Sequence, residues 1–297
     1  MSDSETHSAF RDKWSKNPDA VFATTLNEKS SIQKWILARN GFSNVAALRE
    51  FLKDKKKILD AGCGNGRVTA LLAREAPPKA EVWGIDFSSA AVAARNLSPY
   101  SNAVIREKDL LADLSDLGTF DFIYSQEVLH HTADPRRAFN NLAAILSPGG
   151  EIAIYVYKLK APVREFTDDF LRHKMADLTY EQSMSVARAI TEIGRQLDAA
   201  KVEITIPQLD ELAIPGGTYS VQRFVYHFFM KCFWNDENSF NDNAVINYDW
   251  YRPEIATRHT VEEVRGWFLE NNLSIEHEFV DEYGITMRGR FPGRDAA

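Results

Sequence analysis

The chain has 297 residues, 44% hydrophobic and 26% charged, with a formal net charge of −7 and a pI near 5.6, which leaves no basic footprint for general binding to nucleic acid or anionic membrane. Two cysteines, Cys63 and Cys232, are too few for a disulfide framework or a four-cysteine zinc site and fit a reducing cytoplasm. No window approaches the ~18 uninterrupted apolar residues of a membrane span, and "MSDSETHSAFRDKW" lacks the apolar core of a signal peptide, so a cytoplasmic protein without membrane contact is expected.

Residues 1–55 read as an N-terminal helical segment. From residue 56 the chain alternates. "KILDAG" is a buried strand ending at a glycine turn, and "VTALLAREA" follows at helical spacing. "AEVWGIDFS" is the next strand, and "SAAVAARNLS" is a helix with Ser88 or Ser89 as N-cap. "NAVIREKDL" and "FDFIYSQEV" are the third and fourth strands. "DPRRAFNNLAAIL" is a helix with Pro135 in its first turn, "SPGG" a turn, and "EIAIYVYK" the fifth strand. Strands alternating with helices predict a parallel sheet covered on both faces.

The alternation stops between 159 and 256. Val163, Phe166 and Phe170 share one helical stripe, and Ala187, Ile190, Ile193 and Leu197 share another. Thr179 to Gln182 has the form of a capping box, and "SVQRFVYHFFMKCFW" is dense in aromatics. This stretch is too long for a connector and reads as an inserted helical subdomain. The alternation resumes over 257–297. "HTVEEVRGWFLENNL" is a helix with a second capping-box candidate in Thr260 and Glu263, followed by two strands whose junction at Gly284 suits a tight hairpin.

The loop in "ILDAGCGNGRVT" carries the first chemistry. A phosphate-cradling loop needs Gly-Lys-Ser/Thr, whereas Gly66 is followed by Arg67 and Val68. A dinucleotide fingerprint needs G-x-G-x-x-G, whereas Gly62, Gly64 and Gly66 are spaced G-x-G-x-G. Asp60 before the loop would repel a pyrophosphate and attract an amine.

With these features the chain resembles the class I S-adenosylmethionine-dependent methyltransferases. Five segments in order carry the resemblance: "ILDAGCGNGRVT", "VWGIDFS", "EKDLLA", "FDFIYSQEVLHHTADP" and "LSPGGEIAIYVY". It spans residues 56–158 and, more weakly, 259–291. It implies a doubly wound, Rossmann-like α/β sheet of seven strands, mostly parallel with an antiparallel last strand, plus the helical insertion. It also implies S-adenosylmethionine as cofactor and S-adenosylhomocysteine as product. The cofactor residues it implies are Asp60, Gly62, Cys63, Gly64, Asn65 and Gly66 in the first segment. Asp86 would grip the ribose hydroxyls, with Phe87 beside it; Asp109 would meet the adenine amine and Leu110 pack the ring; Gln126 closes the fourth strand.

The loop after the fourth strand faces the methyl group in such enzymes. The Asn/Asp-Pro-Pro-aromatic motif of nucleic-acid amino methyltransferases is absent, and His130 and His131 stand there instead. Either histidine is a candidate general base for a hydroxyl or carbon acid. No metal is expected, because the sulfonium is already activated. For the substrate, Tyr155, Tyr157, Arg223, Tyr226 and Trp250 are candidates, and Arg164, Arg223 and Arg252 could clamp an anion. The expected function is methylation of a small metabolite at oxygen, nitrogen or carbon. The alternatives are a methyltransferase acting on tRNA or other RNA, and a non-catalytic cofactor-binding protein. Residues 159–256, with Trp14 and Phe22, are expected to form a lid; a homodimerisation element is the alternative.

Overall fold

The computed structural model describes residues 3–292, with side chains from Glu5 onward; residues 1, 2 and 293–297 of the expected terminal segments lie outside the described residues. The chain divides into two compact units. Residues up to Lys13 with Leu159–Ala256 form a helical unit, and Trp14–Lys158 with the residues from Thr257 on form a core unit. Among the described residues, no helix is long and apolar enough to cross a membrane.

In chain order, α1 (Asp3–Lys16) is followed by α2 (Phe22–Leu26), α3 (Ser31–Arg39) and α4 (Val45–Leu52). The Ser30 and Asn44 side chains cap α3 and α4 by accepting from the amides of Gln33 and Ala47. Next come β1 (Lys57–Ala61), α5 (Arg67–Glu75), β2 (Glu81–Asp86), α6 (Ala90–Asn96), β3 (Ala103–Glu107), β4 (Phe120–Gln126), α7 (Pro135–Ala144) and β5 (Leu146–Tyr157). The helical unit adds α8 (Pro162–Met175), α9 (Tyr180–Ala199), β6 (Glu203–Ile206), β7 (Gly217–Ser220), α10 (Val221–Phe228) and α11 (Phe240–Tyr251). The chain closes with α12 (Val261–Glu270), β8 (Ser274–Val280) and β9 (Gly284–Arg290).

The core sheet has the order β3-β2-β1-β4-β5-β9-β8. Strands β1 to β5 pair in parallel, and β9, the last in sequence, runs antiparallel between β5 and β8. This is the expected doubly wound, seven-stranded arrangement. Alternation along β1 sends Ile58 to one face and Leu59 to the other. Ile58 packs with Ile36, Leu37, Leu48 and Leu52 of α3 and α4 and Leu71 of α5, whereas Leu59 packs with Phe139, Leu142, Trp267 and Phe268 of α7 and α12. Strand order reverses direction between β1 and β4, so a crevice opens at the carboxyl ends of those two strands.

Two local readings need correction, and the expected hairpin at Gly284 is present but held differently. Ser89 does precede α6, but its hydroxyl makes no cap bond; it donates to the Gly64 carbonyl at 2.8 Å. The "SPGG" stretch is drawn into β5, with a register shift opposite Phe120 and Phe122 rather than a separate turn. Gly284 opens β9, and its value is closeness: a Cβ there would lie 2.3 Å from the Tyr155 ring. The hairpin turn is held instead by Asp281, whose carboxylate accepts from the Tyr283 and Gly284 amides.

Arg39 anchors the far edge of the core. It is buried, lies over the rings of Trp35 and Tyr155 (4.4 and 4.3 Å), donates to Thr286 and forms a two-pronged pair with Asp281. Beneath β1, buried Asp60 accepts from the Thr69 hydroxyl at 2.6 Å. Burial is the main cause raising its pKa to about 6.

In the helical unit the capping box at Thr179 and Gln182 is complete, with both side chains bonded to the reciprocal amides. The face of α8 is inverted relative to its apolar stripe. Phe166 and Phe170 are 75% and 52% exposed, while Arg164, Asp168 and Arg172 are buried. The ions win because Asp168 is saturated with donors: Arg164 Nε and Trp250 Nε1 at 2.7 Å, Tyr251 OH at 2.9 Å and the Lys231 amide at 3.4 Å. Strands β6 and β7 form a small antiparallel hairpin in a stretch expected to be mostly helix and loop.

Two measurements check these packings. A carboxyl whose pKa is raised on folding stabilises least when ionised, so stability falls as pH rises from about 4 through about 6. Asp60→Asn keeps the acceptor for Thr69 and removes this dependence; urea unfolding from pH 4 to 7 should show the wild type losing roughly 2–3 kcal/mol relative to the variant. A pH-independent difference would contradict the assignment. On α8, Asp168→Ala should cost about 3–5 kcal/mol by leaving a buried guanidinium unpaired, whereas Phe166→Ser should stay within about 0.5 kcal/mol of wild type.

Candidate functional site

The glycine loop closes the carboxyl end of β1. Gly62, Gly64 and Gly66 have φ of 82°, 58° and 87°, all left-handed. The amides of Gly62 and Cys63 both donate to the Ile85 carbonyl, pinning the loop to β2. Space matters as much as dihedral: a Cβ on Gly62 would lie 2.3 Å from Val128, and one on Gly64 2.9 Å from the Trp14 indole. Bare backbone thus meets Val128 of the β4 loop and Trp14 of the N-terminal segment. Phe22 packs nearby against Cys63, Ala70, Ala93 and Leu97.

Asp86, at the end of β2, organises this corner. Its Oδ2 accepts from the Gly64 amide at 3.0 Å, and Oδ1 accepts from the Ser88 and Ser89 amides at 2.8 and 2.9 Å. A carboxylate offers about four lone-pair positions, so one on Oδ2 is left for a ligand hydroxyl. Phe87 beside it is 40% exposed. Asp109, past β3, accepts from the Leu111 amide at 2.8 Å, and Leu110 is buried in the core.

Three residues of the loop segment point inward. Asp60 is buried against Thr69. The Cys63 thiol lies against Gly84, and burial pushes its pKa up, so it fills space as a neutral thiol. Asn65 donates to the carbonyls of Pro18 and Ala20, tying the N-terminal segment to the loop.

At the end of β4, Gln126 is 7% exposed. Its Oε1 accepts from Tyr124, whose hydroxyl in turn accepts from Asn40. Its Nε2 has no hydrogen-bond partner among the described residues. An unmatched buried amide donor is costly without a ligand acceptor. Glu127 follows with φ of 60°, a left-handed conformation that a non-glycine residue adopts at a cost of about 1–3 kcal/mol, and pairs with Arg67 at 3.2 Å.

His130 and His131 occupy a 3₁₀ turn, both buried. The His130 ring stacks on Tyr157 at 3.5 Å, and its Nδ1 accepts from the Tyr157 amide at 3.3 Å. That bond places the imidazole proton on Nε2. The His130 carbonyl is held by the amide and hydroxyl of Thr257, at 2.8 and 3.1 Å. Thr257 also bonds His259 Nε2 at 2.9 Å, and His259 Nδ1 meets Glu263 at 3.0 Å. Thr257 and His259 were not legible in the sequence, and Glu263 was read only as a cap residue. Thr260 does cap α12 through the Glu263 amide, but the Glu263 side chain serves His259 instead. Tyr155 and Tyr157 leave β5 buried beside these rings, with Tyr155 6.4 Å from His130.

The remaining substrate candidates belong to the helical unit. Trp250 and Tyr226 are buried, and the Arg164 guanidinium lies 5.1 Å from one ring and 4.8 Å from the other. Arg223 lies 5.3 Å from Tyr226. The buried Arg252 guanidinium has two nitrogens, Nε and one terminal NH, without a hydrogen-bond partner among the described residues.

Residues 59–152 match the methyltransferase domain family. An uncharacterized methyltransferase of Mycobacterium bovis is 37% identical over 103 residues, 34% of this chain and 50% of that protein. A ubiquinone biosynthesis O-methyltransferase of Coxiella burnetii is 34% identical over 100 residues, 33% of this chain and 42% of that protein. The chain thus spans half or less of the length of these curated relatives. Among solved structures, PKMT2 of Rickettsia typhi has a TM-score of 0.53 at 14% identity, over 85% of this chain and 52% of that one, a likeness of fold. With the glycine loop, the acid ending β2 and this sheet order, the core of the chain is a class I S-adenosylmethionine-dependent methyltransferase domain.

Proposed function

We propose that the chain transfers a methyl group from S-adenosylmethionine to a small-molecule acceptor. The observation that carries this reading is the corner where Asp86 binds the Gly64 amide, beside the switch point that also presents the orphaned Gln126 amide. The residues fit the cofactor: Asp86 has a lone pair for a ribose hydroxyl, Asp109 and Leu110 follow β3, and Gln126 offers a donor to an acceptor oxygen. Bound there, S-adenosylmethionine supplies an activated methyl on its sulfonium.

The chain's own part is alignment and proton handling. His130 has its Nδ1 committed to the Tyr157 amide, so it serves as a fixed wall of the site rather than a base. His131, on the same turn and 4.4 Å away ring to ring, is the base for a hydroxyl or carbon acid.

Two experiments test this. Calorimetry with S-adenosylhomocysteine should show Asp86→Asn weakening binding by about 1–3 kcal/mol in a folded variant, with a lowered melting temperature because its NH2 must face one of the amides that the carboxylate accepts from. Wild-type chain that binds no S-adenosylhomocysteine would overturn the reading. A screen of phenols, hydroxy acids and amines, followed by S-adenosylhomocysteine release, should find turnover; turnover with tRNA alone would make RNA the acceptor. On the accepted compound, His131→Ala should lose about 10²- to 10⁴-fold in kcat and its acid limb in the pH profile. Full rate across pH 6 to 9 would remove the base.

A further inference from the structure

Three side chains of the core unit link the end of α3 to the end of β4. Asn40 Nδ2 donates to the Ile36 carbonyl at 2.8 Å and to the Tyr124 hydroxyl at 3.1 Å, and that hydroxyl donates to Gln126 Oε1 at 2.5 Å. All three residues are buried. Phe122, Tyr124 and Gln126 alternate onto the face of β4 that α3 and α5 cover.

A side-chain amide can turn over, so the direction of such a chain needs a fixed reference, and the end of α3 supplies it. The backbone N–H of Asn40 donates to the carbonyls of Leu37 and Ala38, which leaves the Ile36 carbonyl to the side chain. A carbonyl oxygen only accepts, so Nδ2 and not Oδ1 faces it. This orientation holds although Asn40 Oδ1 has no hydrogen-bond partner among the described residues. The second hydrogen of Nδ2 goes to the Tyr124 oxygen, and the one hydrogen of that hydroxyl is then given to Gln126. Burial raises the Tyr124 pKa, so the hydroxyl stays a donor. The reverse chain would set Asn40 Oδ1 against the Ile36 oxygen at the 2.8 Å that Nδ2 now spans. Gln126 therefore meets a donor with its oxygen, and its NH2 is left over. That residue is 7% exposed, its Nε2 has no partner among the described residues, and it ends β4 where strand order reverses.

We propose that Asn40 and Tyr124 are positioning residues that fix the polarity of Gln126, so that this point of the crevice offers a donor and takes a ligand oxygen in preference to an amine. That the ligand is S-adenosylmethionine or its product rests on the methyltransferase reading; the polarity comes from the helix end. Both molecules carry an ammonium and several oxygens, so a donor fixed here decides which kind of group is held. Turning the Gln126 amide over would set its N–H against the Tyr124 O–H and leave that hydroxyl without an acceptor, which keeps the choice firm.

The test is calorimetry with S-adenosylhomocysteine on the full chain, with melting curves showing that each variant is folded. Gln126→Glu keeps an acceptor for Tyr124 and puts an oxygen where the donor was; it should weaken binding about tenfold or more. Tightened binding would mean that Gln126 turns its oxygen to the ligand, and would overturn the proposal. Tyr124→Phe removes one oxygen atom and frees the amide to turn, and should weaken binding about threefold to tenfold. In a Gln126→Ala background the same change should do nothing more. A tyrosine that is merely structural would cost the same in both backgrounds, and that additivity would also overturn the proposal. Asn40→Asp, which cannot serve the Ile36 carbonyl and takes the Tyr124 hydrogen, should reproduce Tyr124→Phe; if it does not fold, the tyrosine cycle decides. Wild-type chain that binds no S-adenosylhomocysteine removes the methyltransferase reading and this inference with it, whereas wild-type binding that all the variants share removes only the inference.

Discussion

The Asp86 carboxylate is the contact on which the rest of the core site depends. Three backbone amides from two segments converge on it, more than on any other group described between the loop and the start of α6. Gly64 has no side chain to hold it, and its left-handed backbone gains no helical bond. The Ser88 and Ser89 amides open a helix whose cap residue spends its hydroxyl on the glycine loop. One half-buried carboxylate therefore helps set the spacing between the end of β2 and the loop after β1. Under the proposed function the same charge would meet the ligand, so binding and loop order would share one group. Charge-assisted bonds to amides are strong enough for that double duty.

The two units use opposite means to define their interiors. In the core unit, alternating strands sort apolar side chains to two faces, and its buried ions are few and specific, such as Arg39 with Asp281 and Asp60 with Thr69. In the helical unit, a buried arginine–aspartate pair stands at the centre and phenylalanines face outward. Replacing such an ion pair by apolar residues often leaves stability unchanged or better. Its presence here gives the unit orientation rather than stability: Asp168 sets the pose of Trp250 and Tyr251 at once.

The core was legible because its signals are local. A strand, a three-glycine loop and a helix follow one another directly over Lys57–Glu75, and an acid ends the next strand. The capping box at Thr179 was legible for the same reason. The α8 stripe misled because Arg164, Asp168 and Arg172 also repeat at four-residue spacing, and periodicity alone does not say which of two stripes is buried. Buried partners that can saturate a carboxylate decide it, and those partners come from α11. The support of the histidine turn was invisible for a related reason, since Thr257 reaches the His130 carbonyl across 127 residues. The hairpin at Gly284 was legible, but the closeness that its missing Cβ allows was not, because the Tyr155 ring belongs to a strand far away in sequence.

The flanks of the long excursion are bonded to each other. The His259 amide donates to the Tyr157 carbonyl at 2.9 Å, Lys158 and His259 form a bridge, and Thr257 holds His130. Chain ends that already meet make an excursion entropically cheap to lengthen, shorten or exchange, since closure cost grows only with the logarithm of its length. Residues 159–256 thus have the anatomy of a cassette that recombination can swap. They do not travel alone, however. Thr6 accepts from the Ile255 amide, Ala9 from the Tyr248 hydroxyl, and Lys13 pairs with Asp249. An exchange of the cassette without the first turns of the chain would strand these matched contacts, because the residues up to Lys13 and the excursion form one compact unit.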